Sequence, residues 1–189
     1  MDLLLNFGAG PNQLPDPWVN LGPTHDIRKR LKFENESAAA ILAEHVIEHV
    51  PFLQALGFFR ECLRVLKPGG VLRVAFPDVS RFVSSCALEL TLNPAALGYA
   101  DALDRRPGFD LPEALPERTQ AALWQMLTGW GHQTSWTEHN AAAALLVVGF
   151  ARVSRCPYGH GELEGVDGHH RDVGSELAQL ESTILEARK

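Results

Sequence analysis

Cysteine is scarce in this chain of 189 residues: Cys62, Cys86 and Cys156 are an odd number with no CxxC spacing. That excludes a disulfide framework and a zinc ribbon and leaves free, buried thiols as the expected state. A basic excess is missing as well. The formal net charge is -6, and the lysines and arginines are scattered apart from the short run Arg28-Lys29-Arg30, so no nucleic-acid groove is expected. Long hydrophobic runs are absent too. The longest apolar stretch, Asn140 to Phe150, is too short to span a bilayer, and Met1-Asp2-Leu3 lacks the basic start of a signal peptide. The expectation is a cytoplasmic protein with neither a membrane nor a nucleic acid as partner.

What is present is ordinary globular material. Hydrophobic residues make up 46% and charged residues 21%, and a chain of this length buries roughly 70% of its unfolded surface in one core. No repeat or linker is visible, so residues 1–189 are read as one domain.

The chain opens with Leu3-Leu4-Leu5-Asn6-Phe7, an apolar run that stops at Gly8-Ala9-Gly10-Pro11, as a buried parallel strand does when it enters a tight turn. Pro15 and Pro17, with no 3.6-residue pattern before Trp18, predict that no ordinary helix follows this loop. Trp18 to Leu21 and Ala38 to Ala43 read as two further strands. From Pro51 the period changes: Phe52, Leu53, Leu56, Phe59, Leu63 and Leu66 form the stripe of an amphipathic helix. It ends at Lys67-Pro68-Gly69-Gly70, before a strand at Val71 to Phe76. Strand, helix, glycine turn and strand give the βαβ rhythm of a doubly wound sheet.

Residues 79–131 carry helix-like pieces at Ser80 to Leu92 and Pro116 to Thr128, separated by a stretch containing Pro and Asp, and are read as a helical insertion. Thr137 caps a predicted helix through Ala141 to Val148, which Gly149 ends before a strand at Ala151 to Pro157. The Gly- and His-rich tail from Tyr158 to Gly174 is loop, and Leu180 to Ala187 supplies a last strand. The fold class expected is α/β: a Rossmann-like, doubly wound and mostly parallel sheet with helices on both faces and a helical insertion.

Gly8-Ala9-Gly10 after an apolar strand lets a nucleotide-bearing ligand approach the backbone at the carboxyl end of the sheet, although such a pair also serves as a plain turn. The third glycine of the dinucleotide fingerprint is missing, and so is the helix whose N-terminus would hold a pyrophosphate. A dinucleotide is disfavoured. An adenosine-bearing ligand without phosphate and with a cationic centre needs only close backbone approach and nearby carboxylates.

Several blocks, in order, resemble the small class I S-adenosylmethionine-dependent methyltransferase-like proteins. Leu5-Asn6-Phe7-Gly8-Ala9-Gly10 is similar to the family's glycine-rich first motif, and Trp18-Val19-Asn20-Leu21 to its second strand. The run from Asp26-Ile27 to Phe33 resembles the block whose leading Asp bonds the adenine amino group. Ala43-Glu44-His45-Val46-Ile47-Glu48-His49-Val50 resembles the block after the fourth strand, and Glu61 to Gly70 the helix and turn before the fifth. These blocks cover about half the chain, and the region between the first and fourth strands is abbreviated. The resemblance implies S-adenosylmethionine as cofactor, S-adenosylhomocysteine as product, and a cofactor site at Asn6, Phe7, Gly8, Ala9, Gly10, Pro11, Asp26, Ile27, Glu44, His45 and Val46. One departure stands out. The acid that holds the ribose hydroxyls at the end of the family's second strand is Gly22 here, so Asp16 or Asp26 would have to replace it.

Methyl transfer from a sulfonium is an in-line displacement that needs alignment and water exclusion more than a catalytic constellation. A general base is required only for a poor nucleophile; His49 is the first choice, then His45, with Asp78 also near the cleft. The acceptor is expected to be a small molecule, with the insertion as its cap and a homodimer permitted by an apolar face on it. His45-x-x-Glu48-His49 also matches the inverted zinc-protease motif, and a metal-dependent hydrolase is the third reading. The motif follows an apolar strand and the chain is small for such proteases, so no metal site is assigned. His160, His169 and His170 match no zinc spacing and are read as loop histidines. Trp124, Trp130 and Trp136 flank His132 and are expected to close over the sheet end. The remaining alternative is a non-catalytic binding or scaffold protein on the same fold.

Overall fold

The computed structural model describes residues 2–10, 13–83, 94–106, 108–109, 111–113, 115–163, 166 and 181–189. Short apolar runs form strands β1 (Leu3–Phe7), β2 (Trp18–Leu21), β3 (Ala38–Glu44) and β4 (Leu66–Pro77), joined late in the chain by β5 (Arg152–Cys156) and β6 (Ser182–Arg188). They make one six-stranded sheet in the order β2-β1-β3-β4-β6-β5. β1 to β4 pair in parallel, and β6 runs antiparallel to both β4 and β5. This is the mostly parallel α/β sheet expected from the sequence, and β2 alone lies between β1 and β3, where the sequence is abbreviated.

The strand at Trp18 to Leu21 has the expected bounds, whereas β4 starts at Leu66 instead of Val71. Leu66 pairs with Ala38, and a register shift between Ala38 and Ala40 absorbs the residues up to Gly70. Gly69 adopts φ 76° there, and the amide of Gly69 and the carbonyl of Gly70 bond to Lys189, so the Gly-Gly segment is an irregular piece of strand and not a free turn.

Helix α1 (Phe52–Val65) crosses from β3 to β4 and buries Ala55, Phe58, Phe59, Cys62 and Val65. The buried face is therefore shifted from the predicted stripe. Leu53 is 77% exposed, because the small side chains of Ala55 and Cys62 let the helix sit against the sheet on their side. Leu56 and Leu63 flank that core without entering it fully. The late helix, Glu138–Val148, packs on the same face; Thr137 caps it in a reciprocal box with Asn140, and Gly149 ends it at φ 120°. On the other face of β3, Leu42 meets Leu14 from the β1–β2 connection, with Leu163 and Val166. The residues packed on this face come from connections and strand ends, while α1 and the late helix pack on the first face.

The segment 79–131 contributes α2 (Ser80–Val83), α3 (Pro94–Asp104) and α4 (Leu115–Thr128), followed by the late helix as α5 (Glu138–Val148). α3 lies in the stretch that the sequence reading treated as a separator. The predicted helix from Ser80 to Leu92 is seen as far as Val83, the rest lying outside the described residues. α3 and α4 share an apolar cluster of Tyr99, Ala100, Leu103, Ala122 and Met126, tied by Arg118 to Asp101 and Asp104. The last strand begins at Ser182 and extends to Arg188, one residue beyond its predicted end. Cys62 is buried and Cys156 half-buried, both as free thiols, and Cys86 lies outside the described residues. Among the described residues no helix is long and apolar enough to cross a membrane.

Candidate cofactor crevice

Strand order reverses between β1 and β3: the chain leaves β1 for β2 on one side and returns to build β3 on the other. A crevice opens outside the carboxyl ends of strands at such a point, where open α/β sheets bind ligands. Gly8 (φ 72°) and Gly10 (φ 52°) turn the backbone sharply there, and the amides of Gly8 and Ala9 both donate to the carbonyl of Leu21 at the end of β2. The space beside Gly8 is taken by the protein itself. A Cβ on Gly8 would lie 2.4 Å from Cγ2 of Val46, which arrives from the end of β3. Asn6, fully buried, donates from Nδ2 to Oδ1 of Asn20 at 2.9 Å, while its own Oδ1 has no hydrogen-bond partner among the described residues.

Beside this turn lies a cleft of about 330 Å³ whose lining includes Phe7, Asp26, Lys29, Leu31 and Phe33. The Phe7 and Phe33 rings meet edge to face at 6.5 Å. Helix α1 holds the far wall: Glu61 accepts from the amide of Leu31, and Arg64 donates to the carbonyls of Leu31 and Phe33. That is the structural duty of the Glu61–Arg64 block. Asp26 is committed to Arg28, which donates to it from Nε at 2.7 Å, from Nη2 at 2.9 Å and from its amide at 3.0 Å. These bonds hold the Asp26 carboxyl down at about 2. Ile27 packs against the core and does not line this cleft.

A second group gathers at the end of β3. His45, at φ 51°, breaks the strand, and Ile47–His49 forms a 3-10 turn with Glu48 only 1% exposed. His45 sits between Glu48 (Nδ1 to Oε1, 3.2 Å) and Ser182 (Nε2 to Oγ, 2.9 Å). Burial works against a charged His45 ring, but the neighbouring Glu48 outweighs it and raises the His45 pKa. Glu48 is lowered in turn, its burial being outweighed by His45. Glu181 is raised by burial. The Glu48 carbonyl accepts from the amides of Gln133 and Thr134, which brings the end of the insertion onto this turn. His132 thereby stands edge to face with His49, ring centroids 5.0 Å apart.

Of the residues expected at the cofactor site, Asn6, Phe7, Gly8, Ala9 and Gly10 line the end of β1, Glu44, His45 and Val46 the end of β3, and Asp26 the adjoining cleft. Pro11 lies outside the described residues, as do His169 and His170. Asp16 is exposed at the amino end of β2, at the wrong end of the sheet for a ribose role. Asp78 is also spent: its carboxylate accepts from Ser80, from Thr183 and from the Glu138 amide, pinning the insertion and α5 to the sheet. Trp136 is buried, with its indole 3.4 Å from the carbonyl of Ile47, whereas Trp124 is 67% exposed. No spacing along the chain joins His132 to Glu48; the local hint was its place among the tryptophans.

These residues fit an adenosine-bearing sulfonium. Phe7, Leu31 and Phe33 offer an apolar slot for a flat base, and the orphaned Asn6 Oδ1 supplies an acceptor. The buried carboxylates Glu44 and Glu48 favour a cationic centre nearby. Nothing at Gly22 replaces the ribose-binding acid; a Cβ there would meet open space.

Comparison with known proteins agrees with this geometry. Residues 20–74 match the methyltransferase-domain family. None of the curated proteins matches the chain. Among solved structures, an S-adenosylmethionine-dependent methyltransferase from Archaeoglobus fulgidus aligns with a TM-score of 0.53 at 10% identity, over 100% of this chain and 86% of that one. One from Thermotoga maritima aligns at 0.50 and 13% identity, over 100% and 83%. The [4+2]-cyclase SpnF aligns at 0.50 and 16% identity, over 100% and 76%. At such identities these similarities speak for the fold. S-adenosylmethionine is the cofactor that the matched domain implies. The strand order and the crevice agree with the match of residues 20–74 to the methyltransferase domain, and the chain has the fold of S-adenosylmethionine-dependent methyltransferases.

Proposed function

We propose that the chain transfers the methyl group of S-adenosylmethionine to a small-molecule acceptor by in-line displacement. The observation that carries this reading is the Phe7–Phe33 cleft opening beside the β1–β3 switch point. The bound cofactor supplies an electrophilic methyl group on a good leaving sulfur. The chain's own residues have the remaining tasks. Asn6 to Pro11, Glu44 to Val46 and Asp26 hold the cofactor. The insertion, 79–131, caps the acceptor side and excludes water, which aligns the nucleophile at little entropic cost. An acceptor hydroxyl would lose its proton to His49, which is half-buried at the mouth of the site. His45 is the second candidate, and its contacts with Glu48 and Ser182 suit it better to orienting Glu48. A homodimer through the insertion, with Trp124 at its surface, belongs to the same proposal.

A specific observation favours a second reading, a binding protein without catalysis: Gly22 replaces the ribose-binding acid, and Asp26 is engaged by Arg28. The fold supports more than one chemistry. Titration calorimetry with S-adenosylmethionine and S-adenosylhomocysteine separates the two. Saturable one-site binding that Asp26→Ala abolishes supports the enzyme. Absence of binding, or binding indifferent to Asp26, overturns the proposed cofactor site.

A further inference from the structure

We propose that Glu48, His49 and His132 form a binding site for one divalent transition-metal ion of the zinc type. One ligand atom from each lies within 4.8 Å of the other two. A tetrahedral zinc site with bonds of about 2.0–2.1 Å needs ligand atoms ~3.4 Å apart, a closure that small side-chain rotations deliver.

Three further observations point at an ion. Glu48 is 1% exposed, and its Oε2 has no hydrogen-bond partner among the described residues, a costly arrangement for a buried carboxylate that a cation relieves. Next to it is a small recess of about 10 Å³ lined by Glu48, His132, Thr134 and Ser135 among others, the size of a single ion or water. His132 carries its proton at Nδ1, which donates to the carbonyl of Met126 at 2.7 Å; its Nε2 is then the lone-pair nitrogen. A backbone carbonyl behind the imidazole is the support that metal-binding histidines use, and His45 behind Glu48 Oε1 supports the carboxylate in the same way.

The set is Glu and two His, drawn from the turn after β3 and from the end of the insertion, and it leaves a fourth position open, as catalytic zinc sites do. It stands on its own geometry and not on methyl transfer. Where it holds, His49 is a ligand and not the proton acceptor proposed above.

The full-length protein, stripped with a chelator, is titrated with Zn²⁺ and separately with Co²⁺, whose visible absorption reports its coordination. The expected result is one ion per chain with a tetrahedral Co²⁺ spectrum. Glu48→Gln and His132→Gln should each weaken Zn²⁺ binding at least ~10-fold with circular dichroism unchanged, and His160→Gln should leave it unaltered. Because Glu48→Gln disturbs a buried pair, His132→Gln decides the matter if Glu48→Gln fails to fold. No stoichiometric ion, or an ion whose affinity is indifferent to His132, overturns the site. Neither outcome depends on S-adenosylmethionine binding, so failure here leaves the cofactor reading to its own test.

Discussion

Replacing Gly8 with alanine asks whether the β1 turn is held by the protein's own packing. Two costs are expected. At φ 72° an alanine adopts a left-handed backbone that costs about 1 kcal/mol relative to glycine. Its Cβ would also lie 2.4 Å from Cγ2 of Val46, a contact that Val46 cannot relieve freely because it is only 9% exposed. Overpacking of this kind costs about 1–3 kcal/mol. The sum, roughly 2–4 kcal/mol, corresponds to a fall in Tm of about 4–16 °C for a chain of this size. Urea denaturation of wild type, Gly8→Ala, Val46→Ala and the double variant isolates the steric part. The alanine at position 46 should remove the clash and leave the backbone cost, giving a favourable coupling of about 1–3 kcal/mol. A Gly8→Ala protein as stable as wild type, or two substitutions that simply add, would show that Val46 does not hold the turn. The same set in the calorimeter tells whether Val46 must move for cofactor to enter. If it must, Val46→Ala tightens binding while lowering stability.

Two stability predictions concern residues outside the crevice. Thr137→Ala removes the hydroxyl that accepts from the Asn140 amide at 3.1 Å and should cost about 1 kcal/mol by denaturant titration, with Thr137→Ser close to wild type. Glu186→Ala removes the carboxylate that faces the fully buried Arg73, whose Nη1 lies 2.7 Å from Glu186 Oε1 between β4 and β6; the expected loss is about 3–5 kcal/mol. The double change Arg73→Met with Glu186→Leu should recover much of that loss, and failure to recover any would mean that the pair's bonds to the His160 carbonyl and the Glu162 and Leu163 amides matter more than its charge.

The elements with one dominant cause were legible from the residues alone. Apolar runs placed β1, β2 and β3 to within a residue, with glycine stopping the first two, and Thr137 and Gly149 bracketed α5 because capping is local chemistry. The glycine turn at Gly8 and Gly10 was visible for the same reason. Phase and partnership were not local. Which side of α1 is buried depended on where small residues let it approach the sheet, and the start of β4 depended on a pairing between Leu66 and Ala38, distant in sequence. α3 carries too few sequence signals to stand out from the surrounding Pro and Asp, and is held by packing against α4.

The candidate site divides along the same line. The loop, the order of the blocks and the absence of an acid at Gly22 follow from residue type along the chain. What those residues do follows from the tertiary fold. It placed Val46 over Gly8, engaged Asp26 with Arg28, spent Asp78 on pinning the insertion and set Asp16 at the far end of the sheet. It also brought His132 to Glu48 and His49 across more than eighty residues of chain. Contacts of that span arise from sheet order and helix docking, which no short motif encodes.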